Sequence, residues 1–276
     1  DLRWYLFGSN QFGGGVSNAH NGVMAYEHAY QGVEARKAYF FMGDAMVCMG
    51  SGIKAARTQE VRTSVNQCLA NGEVTYGLSG HTYRLTNNLS DKNIDWAYHD
   101  NVGYIFPQNE SVTLRKAKQT GAWRELEVTA SDKPVTKEIF SLWVSHGTTP
   151  QHEDYCYIIM PDKPLSYFTD KKFENEIKII VNSEQIQAIS NENKKQYAAV
   201  FYEPGEIRFA EDLVVAVNKK VIIYIEKDKQ YEIAVADPLY KEQSLQLSMN
   251  GEQINIVFPS GDYSGSSVIK HITEKH

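Results

Sequence analysis

The residues of this chain that could do chemistry are histidines, carboxylates and amides set beside turns. His99-Asp100 is the most tempting acid–base pair. A general base and the carboxylate that orients it must face each other, and neighbours on an extended strand point to opposite faces. The adjacency therefore predicts a strand end with one satisfied polar group, not a dyad. His146 and His152 flank the loop 147–151 and could in principle ligate a metal, yet no carboxylate or cysteine stands at a supporting spacing. Cys48, Cys68 and Cys156 show no Cys-x-x-Cys spacing, and Cys48 and Cys156 sit in apolar runs where a thiol acts as a small hydrophobe. There is no Gly-x-Ser-x-Gly elbow and no His-Glu-x-x-His motif. Gly13-Gly14-Gly15 lacks the Lys-Ser/Thr and helix of a phosphate loop, so a β-bulge or a tight crossing accounts for it better. No catalytic residue, no metal ligand and no cofactor is assigned on this reading.

Binding chemistry has more raw material. A carbohydrate site needs planar aromatic faces beside amides and charges that reach hydroxyls and carboxylates. Trp4, Trp96, Trp123, Trp143 and 17 tyrosines are available, although strand aromatics usually belong to a core. Asn18, His20 and Asn21 form a polar loop in the glycine-rich region, with Asn10 nearby. These four are the candidates for substrate contact.

The elements that must position them are strands. Residues 38–42 and 45–49 are apolar runs joined by Gly43-Asp44, a two-residue turn with positive φ expected at the glycine. Such short runs, apolar on both faces, read as buried β-strands. Residues 123–130 alternate apolar and polar side chains and predict a further strand, and Asn71-Gly72 reads as another hairpin turn. Residues 161–172 break the rhythm with Pro161, Pro164, Asp170 and two lysines, as a linker would. Beyond them, runs at 177–181, 186–190, 197–201, 213–217, 221–226, 231–237, 244–249 and 253–258 are spaced as in a second antiparallel sandwich. No helical period persists over three turns. The expectation is an all-β chain with two domains, a large antiparallel β-sandwich over 1–165 and a smaller C-terminal one over 173–276.

The composition bounds the partners. The chain has 276 residues, a formal net charge of −6 and 42% apolar content, which fits a folded protein of one or two domains. An acidic balance argues against nucleic acid, since no basic field exists to release counterions. A polyanionic ligand would need a local basic patch hidden in that average. No run approaches the ~20 apolar residues of a membrane span.

The stretch Ala-Arg-Lys-Ala-Tyr-Phe-Phe-Met-Gly-Asp-Ala-Met-Val-Cys-Met-Gly-Ser-Gly-Ile over 35–53 resembles the central hairpin of polysaccharide lyase family 8, which includes chondroitin AC, hyaluronate and xanthan lyases. Phe12-Gly13-Gly14-Gly15-Val16-Ser17-Asn18 resembles the family's Gly-Gly-Val-Ser-Asp segment. His99-Asp100-Asn101-Val102-Gly103-Tyr104-Ile105-Phe106-Pro107 resembles its His-Asp-x-Val/Ile-Gly-Tyr-x-Phe-Pro strand. Leu142-Trp143-Val144-Ser145-His146-Gly147 and Tyr155-Cys156-Tyr157-Ile158-Ile159-Met160-Pro161 match two further blocks in the same order. Asn18 and His20 depart from the Asp and Gly that relatives often carry.

The resemblance implies the central super-sandwich, incomplete at its N-terminal side, and the C-terminal sandwich of such an enzyme, extracellular or periplasmic. It further implies β-elimination of an acidic, uronic-acid-containing polysaccharide by residues of an N-terminal α/α-toroid and of the start of the β region. No position here matches those residues, so this chain alone is expected to lack lyase activity. The opening Asp1-Leu2-Arg3-Trp4, neither a start methionine nor a signal peptide, reads as a processed product, a fragment or an excised domain. The rival expectation is a non-catalytic carbohydrate-binding or purely structural β-sandwich protein.

Overall fold

The computed structural model describes residues 10–108 and 110–273; residues 1–7 and Trp4 among them lie outside the described residues. Its strands form four antiparallel sheets of nine, four, six and four strands. The central hairpin is present as Val33–Met42 and Ala45–Ala55, with Met42 paired to Ala45 across Gly43-Asp44. Gly43 has φ +58°, and Asp44 does not share the left-handed region, which is the turn with glycine at its first central position.

Three hydrophobic cores explain why these strands are apolar on both faces. One face of the nine-stranded sheet contributes Ala35, Cys48, Ile53, Tyr104 and Tyr155 to a core shared with Leu114, Phe140, Leu142 and Val144 of the first four-stranded sheet. The opposite face contributes Ala38, Phe40, Met42, Val47 and Ile158 to a second core. There they meet Ile189, Val200, Ile222 and Tyr224 of the six-stranded sheet. The far face of that sheet, with Ala199, Phe201, Ile223 and Ile225, closes a third core against Leu213, Val215, Leu245 and Leu247. The sheets stack as four, nine, six and four strands, two sandwiches joined face to face. Gln196–Phe201 is accordingly buried at every position, as expected of a strand covered on both sides.

Several local expectations are corrected. Residues 123–130 are not a strand: Trp123–Glu125 is a 3₁₀ turn, and Trp123, Leu126 and Val128 are all exposed. The flanking strands Val112–Gly121 and Val135–Thr148 pair directly from Val112↔Val144 to Gly121↔Val135, so the intervening residues loop out without a partner. Asn71-Gly72 is no hairpin either. It carries the chain from Glu60–Leu69 in a four-stranded sheet to Val74–Leu78 in the nine-stranded one. Within 161–172, expected as the linker, Leu165–Thr169 is a helical turn whose Phe168 is fully buried in the core between the sandwiches. In the second sandwich two strands had no sequence expectation, Gly205–Ala210 and Val268–Ile272. Both end a sheet and leave polar side chains exposed, so their apolar signal is thin.

The triple glycine is a tight crossing. Gly13–Ser17 is the end strand of the nine-stranded sheet, and the Gly13 N–H donates to the Pro238 carbonyl of the second sandwich at 3.0 Å. A Cβ on Gly14 would lie 3.3 Å from Pro238 Cα, and one on Gly15 2.9 Å from the Val23 carbonyl oxygen.

Candidate functional site

Asn18, His20 and Asn21 lie together on the turn between Gly13–Ser17 and Gly22–Tyr30. Asn18 builds that turn: its Oδ1 accepts from the backbone N–H of Asn21 at 2.9 Å and of His20 at 3.3 Å, a local side-chain turn typical of asparagine. Its Nδ2 then donates across the junction to Glu232 at 2.9 Å and Glu226 at 3.3 Å. Asn21 donates to Glu226 at 3.4 Å and accepts from the Gly43 N–H at 2.8 Å. The Tyr224 hydroxyl completes the cluster by donating to Glu226 at 2.8 Å.

A hollow of about 760 Å³ opens here, lined by Asn18, His20, Glu226, Asp228, Glu232 and His271. Three carboxylates stand there against one lysine, Lys229, an acidic balance. Asn18 and Asn21 thus tie this turn to Glu226 and Glu232 of the six-stranded sheet. Asn10 stands apart, exposed beside a shallow cleft with Glu27, Arg36, Lys54 and Glu184.

The basic patch that the average charge conceals lies elsewhere. Between the nine-stranded sheet and its four-stranded partner, a cleft of about 250 Å³ is lined by His28, Tyr30, Lys37, Arg57, Arg62 and His146, with one carboxylate, Glu60, and with Val33, Ala35, Ile53 and Val61. Lys37 enters it because it shares the inner face with Tyr39, opposite Tyr26 in the register of Gly22–Tyr30 and Val33–Met42. Burial pushes the Lys37 ammonium below its ordinary value. Burial and then the Lys37 charge push His28 down, and the same two causes bring His146 down to about 4. His146 is therefore neutral at pH 7, with its Nε2 2.8 Å from Thr63 Oγ1. Beside the cleft, Tyr26 stacks on Tyr39 at 6.4 Å and meets His28 edge-on at 6.5 Å. The sequence signal that could have pointed to this cleft is thin: Lys37 stands just before the apolar run 38–42, beside Arg36.

The remaining chemical candidates separate. His99 is buried and stacked 4.3 Å from Phe140, and its Nε2 accepts the Asn71 N–H at 3.0 Å. Asp100 turns away to accept from Asn71 Nδ2 at 2.8 Å, so the two form no dyad. His152 is exposed and pairs with Glu184 at 2.6 Å, on a different element from His146. Among the described residues no group of three metal-binding side chains converges, and no helix is long and apolar enough to cross a membrane. Of the tryptophans described, Trp96 is buried, Trp143 lies under Arg62 at 4.6 Å, and Trp123 alone stands free in solvent.

Residues 2–172 match the super-sandwich domain of polysaccharide lyase family 8, and residues 178–246 match that family's C-terminal β-sandwich domain. Chondroitinase-AC of Pedobacter heparinus is 31% identical over 96% of this chain. The hyaluronate lyase of Thermasporomyces composti is 25% identical over 85%. A chondroitinase AC lyase structure superposes with a TM-score of 0.89 at 28% identity, over 96% of this chain and 40% of that one. Paenibacillus xanthan lyase shares the fold, with a TM-score of 0.83 at 19% identity over 96% of this chain and 29% of that one. The chain spans 39% of the length of the Pedobacter relative and 30% of the Thermasporomyces one. Two matched domains in family order, laid on the stacked sandwiches described above, place the chain in polysaccharide lyase family 8.

Proposed function

We propose that this chain is the β-rich portion of a polysaccharide lyase acting on an acidic, uronic-acid-containing glycan. In that reading it supports an N-terminal helical toroid and walls one side of the substrate cleft. The observation that carries it is the superposition on a chondroitinase AC lyase across 96% of this chain and only 40% of the relative. A rigid scaffold suits the role. The core between the sandwiches is built from both of them, and a wall fixed in this way holds a polymer in register while other groups do the chemistry. The domain division at 165 and 173 belongs to the same proposal, with Leu165–Thr169 as the packed joint. So does an extracellular or periplasmic site of action, where such polymers are met.

A second reading is a glycan-binding protein without turnover, and the basic cleft around Lys37 favours it. The experiment compares this chain with the full product of the reading frame that encodes it, each given chondroitin sulfate, hyaluronan and xanthan. Unsaturated uronide, read by its ultraviolet absorbance, is expected from the full product and not from the chain alone. Turnover by the chain alone overturns the scaffold role. A full product that binds these polymers and never cleaves them supports the second reading instead.

A further inference from the structure

The cleft between the two sheets of the first sandwich carries more cationic than anionic side chains. Lys37 is half-buried at its base, and Arg57 stands at its rim. Among the described residues no carboxylate lies within ion-pair distance of either, and the one bond that Arg57 makes is a 3.4 Å contact with Gln59. Arg62 is held differently, paired with Glu60 at 2.5 Å and lying over Trp143. Glu60 is itself anchored by Ser145 Oγ at 2.6 Å, so it is not free to neutralise Lys37. Lys37, Arg57 and Arg62 set against Glu60 leave two net positive charges in a chain whose overall charge is −6.

An unpaired, partly desolvated ammonium costs free energy. A half-buried cation facing an open cleft recovers that cost when an anion enters with hydrogen bonds to satisfy both groups. The space of about 250 Å³ admits one monosaccharide unit, with an exposed Tyr30 at the mouth for a pyranose face. The exposed Gln31 amide, which also donates to the Tyr30 hydroxyl at 3.3 Å, supplies a group that can bond sugar hydroxyls.

We propose that this cleft is a binding subsite for one acidic sugar residue of a glycan chain, its carboxylate or sulfate held by Lys37 and Arg57. The inference goes beyond the scaffold reading and requires no turnover, so it can stand or fall separately. The subsite is proposed as a place to hold polymer, with His146 bonded to Thr63 at the back of the cleft.

The test is calorimetric titration of the chain with oligosaccharides of defined charge. Hyaluronan oligosaccharides carry only carboxylates, chondroitin sulfate oligosaccharides carry both anions, and cello-oligosaccharides carry none. Binding of the first two, falling as salt rises, with none of the third, is expected. Equal binding of both acidic series assigns the carboxylate; binding of the sulfated series alone assigns the sulfate. Arg57→Ala should weaken binding about tenfold, the loss of one charged hydrogen bond. Lys37→Met should weaken it at least as much. Because Lys37→Met removes an unpaired buried charge, its Tm should not fall, which separates a lost site from a lost fold. Unchanged affinity in both variants, equal affinity for the neutral series, no binding at millimolar ligand, or inorganic sulfate binding as tightly as the oligosaccharides each overturns the proposal. None of these outcomes depends on whether the full product is a lyase.

Discussion

Arg36 lies over the ring of Tyr202, its guanidinium carbon 5.2 Å from the ring centroid, and so joins the first sandwich to the second. The same guanidinium donates to the Glu184 carbonyl, pairs with Glu27 at 3.4 Å and approaches Glu203 at 3.9 Å. Only a planar, multi-donor cation can stack and fork in this way. Arg36→Ala should cost about 2 kcal/mol, and Arg36→Lys, which keeps charge but loses the fork and the stack, should recover less than half of it. Urea unfolding of the three proteins checks this, and a lysine variant as stable as the parent would refute the fork.

Because the core between the sandwiches draws buried residues from both, the two should unfold together. A single calorimetric transition is expected, with equal calorimetric and van't Hoff enthalpies. Two resolved peaks would show that the shared core does not couple them.

Gly103 has no room for a side chain. An added Cβ would stand 1.9 Å from Phe168 Cζ and 2.1 Å from Cε1, and Phe168 is fully buried against Trp96 and Tyr98. Gly103→Ala should therefore destabilise by about 1–3 kcal/mol through overpacking. The double variant Gly103→Ala with Phe168→Leu should lose less than the sum of the two single changes. Strict additivity in thermal melts would disprove the contact.

These relationships mark what could be read in the chain. The hairpin at Gly43-Asp44 was legible because a turn signal sat between two apolar runs of strand length. The alternation at 123–130 misled because side-chain period reports a face and not a partner, and among the described residues no strand pairs with Trp123, Leu126 and Val128. Phe168 looked like linker because a five-residue helix is too short to show a period. At the site level, Asn18 and Asn21 were visible as polar loop residues. Their attachment to Glu226 and Glu232, more than 200 positions away, depends on tertiary packing. Lys37, Arg57 and His146 come from three separate strands or loops, and only the packing of the two sheets makes them neighbours.

Asn18 holds its place by donating to two glutamates at once. Asn18→Asp removes the donor and adds a third negative charge beside Glu226 and Glu232, so it should cost about 1–2 kcal/mol at pH 7, more than Asn18→Ala. Raising salt from 0.05 to about 1 M should shrink the difference between the two variants, since screening weakens exposed like-charge repulsion. A salt-independent difference would point to lost turn geometry in place of charge.

Glu110 is buried, its Oε1 accepting the Cys156 N–H at 2.8 Å while Oε2 has no partner among the described residues. Burial, reinforced by the nearby Asp154 charge and opposed by the backbone N–H bonds, pushes its carboxyl up from 4.5 to about 7. The folded state thus binds a proton that the unfolded state has released between those two values. By linkage, the contribution of Glu110 to stability is fully present below pH 4.5, declines as pH rises, and is lost above about 7. The size of that loss is at most about 3 kcal/mol. Glu110→Gln keeps an acceptor for Cys156 and cannot ionise, so it should flatten this part of the stability profile and raise Tm at pH 8 relative to the parent. Parallel Tm-against-pH curves for the two proteins from pH 4 to 8 would exclude Glu110 as the titrating group.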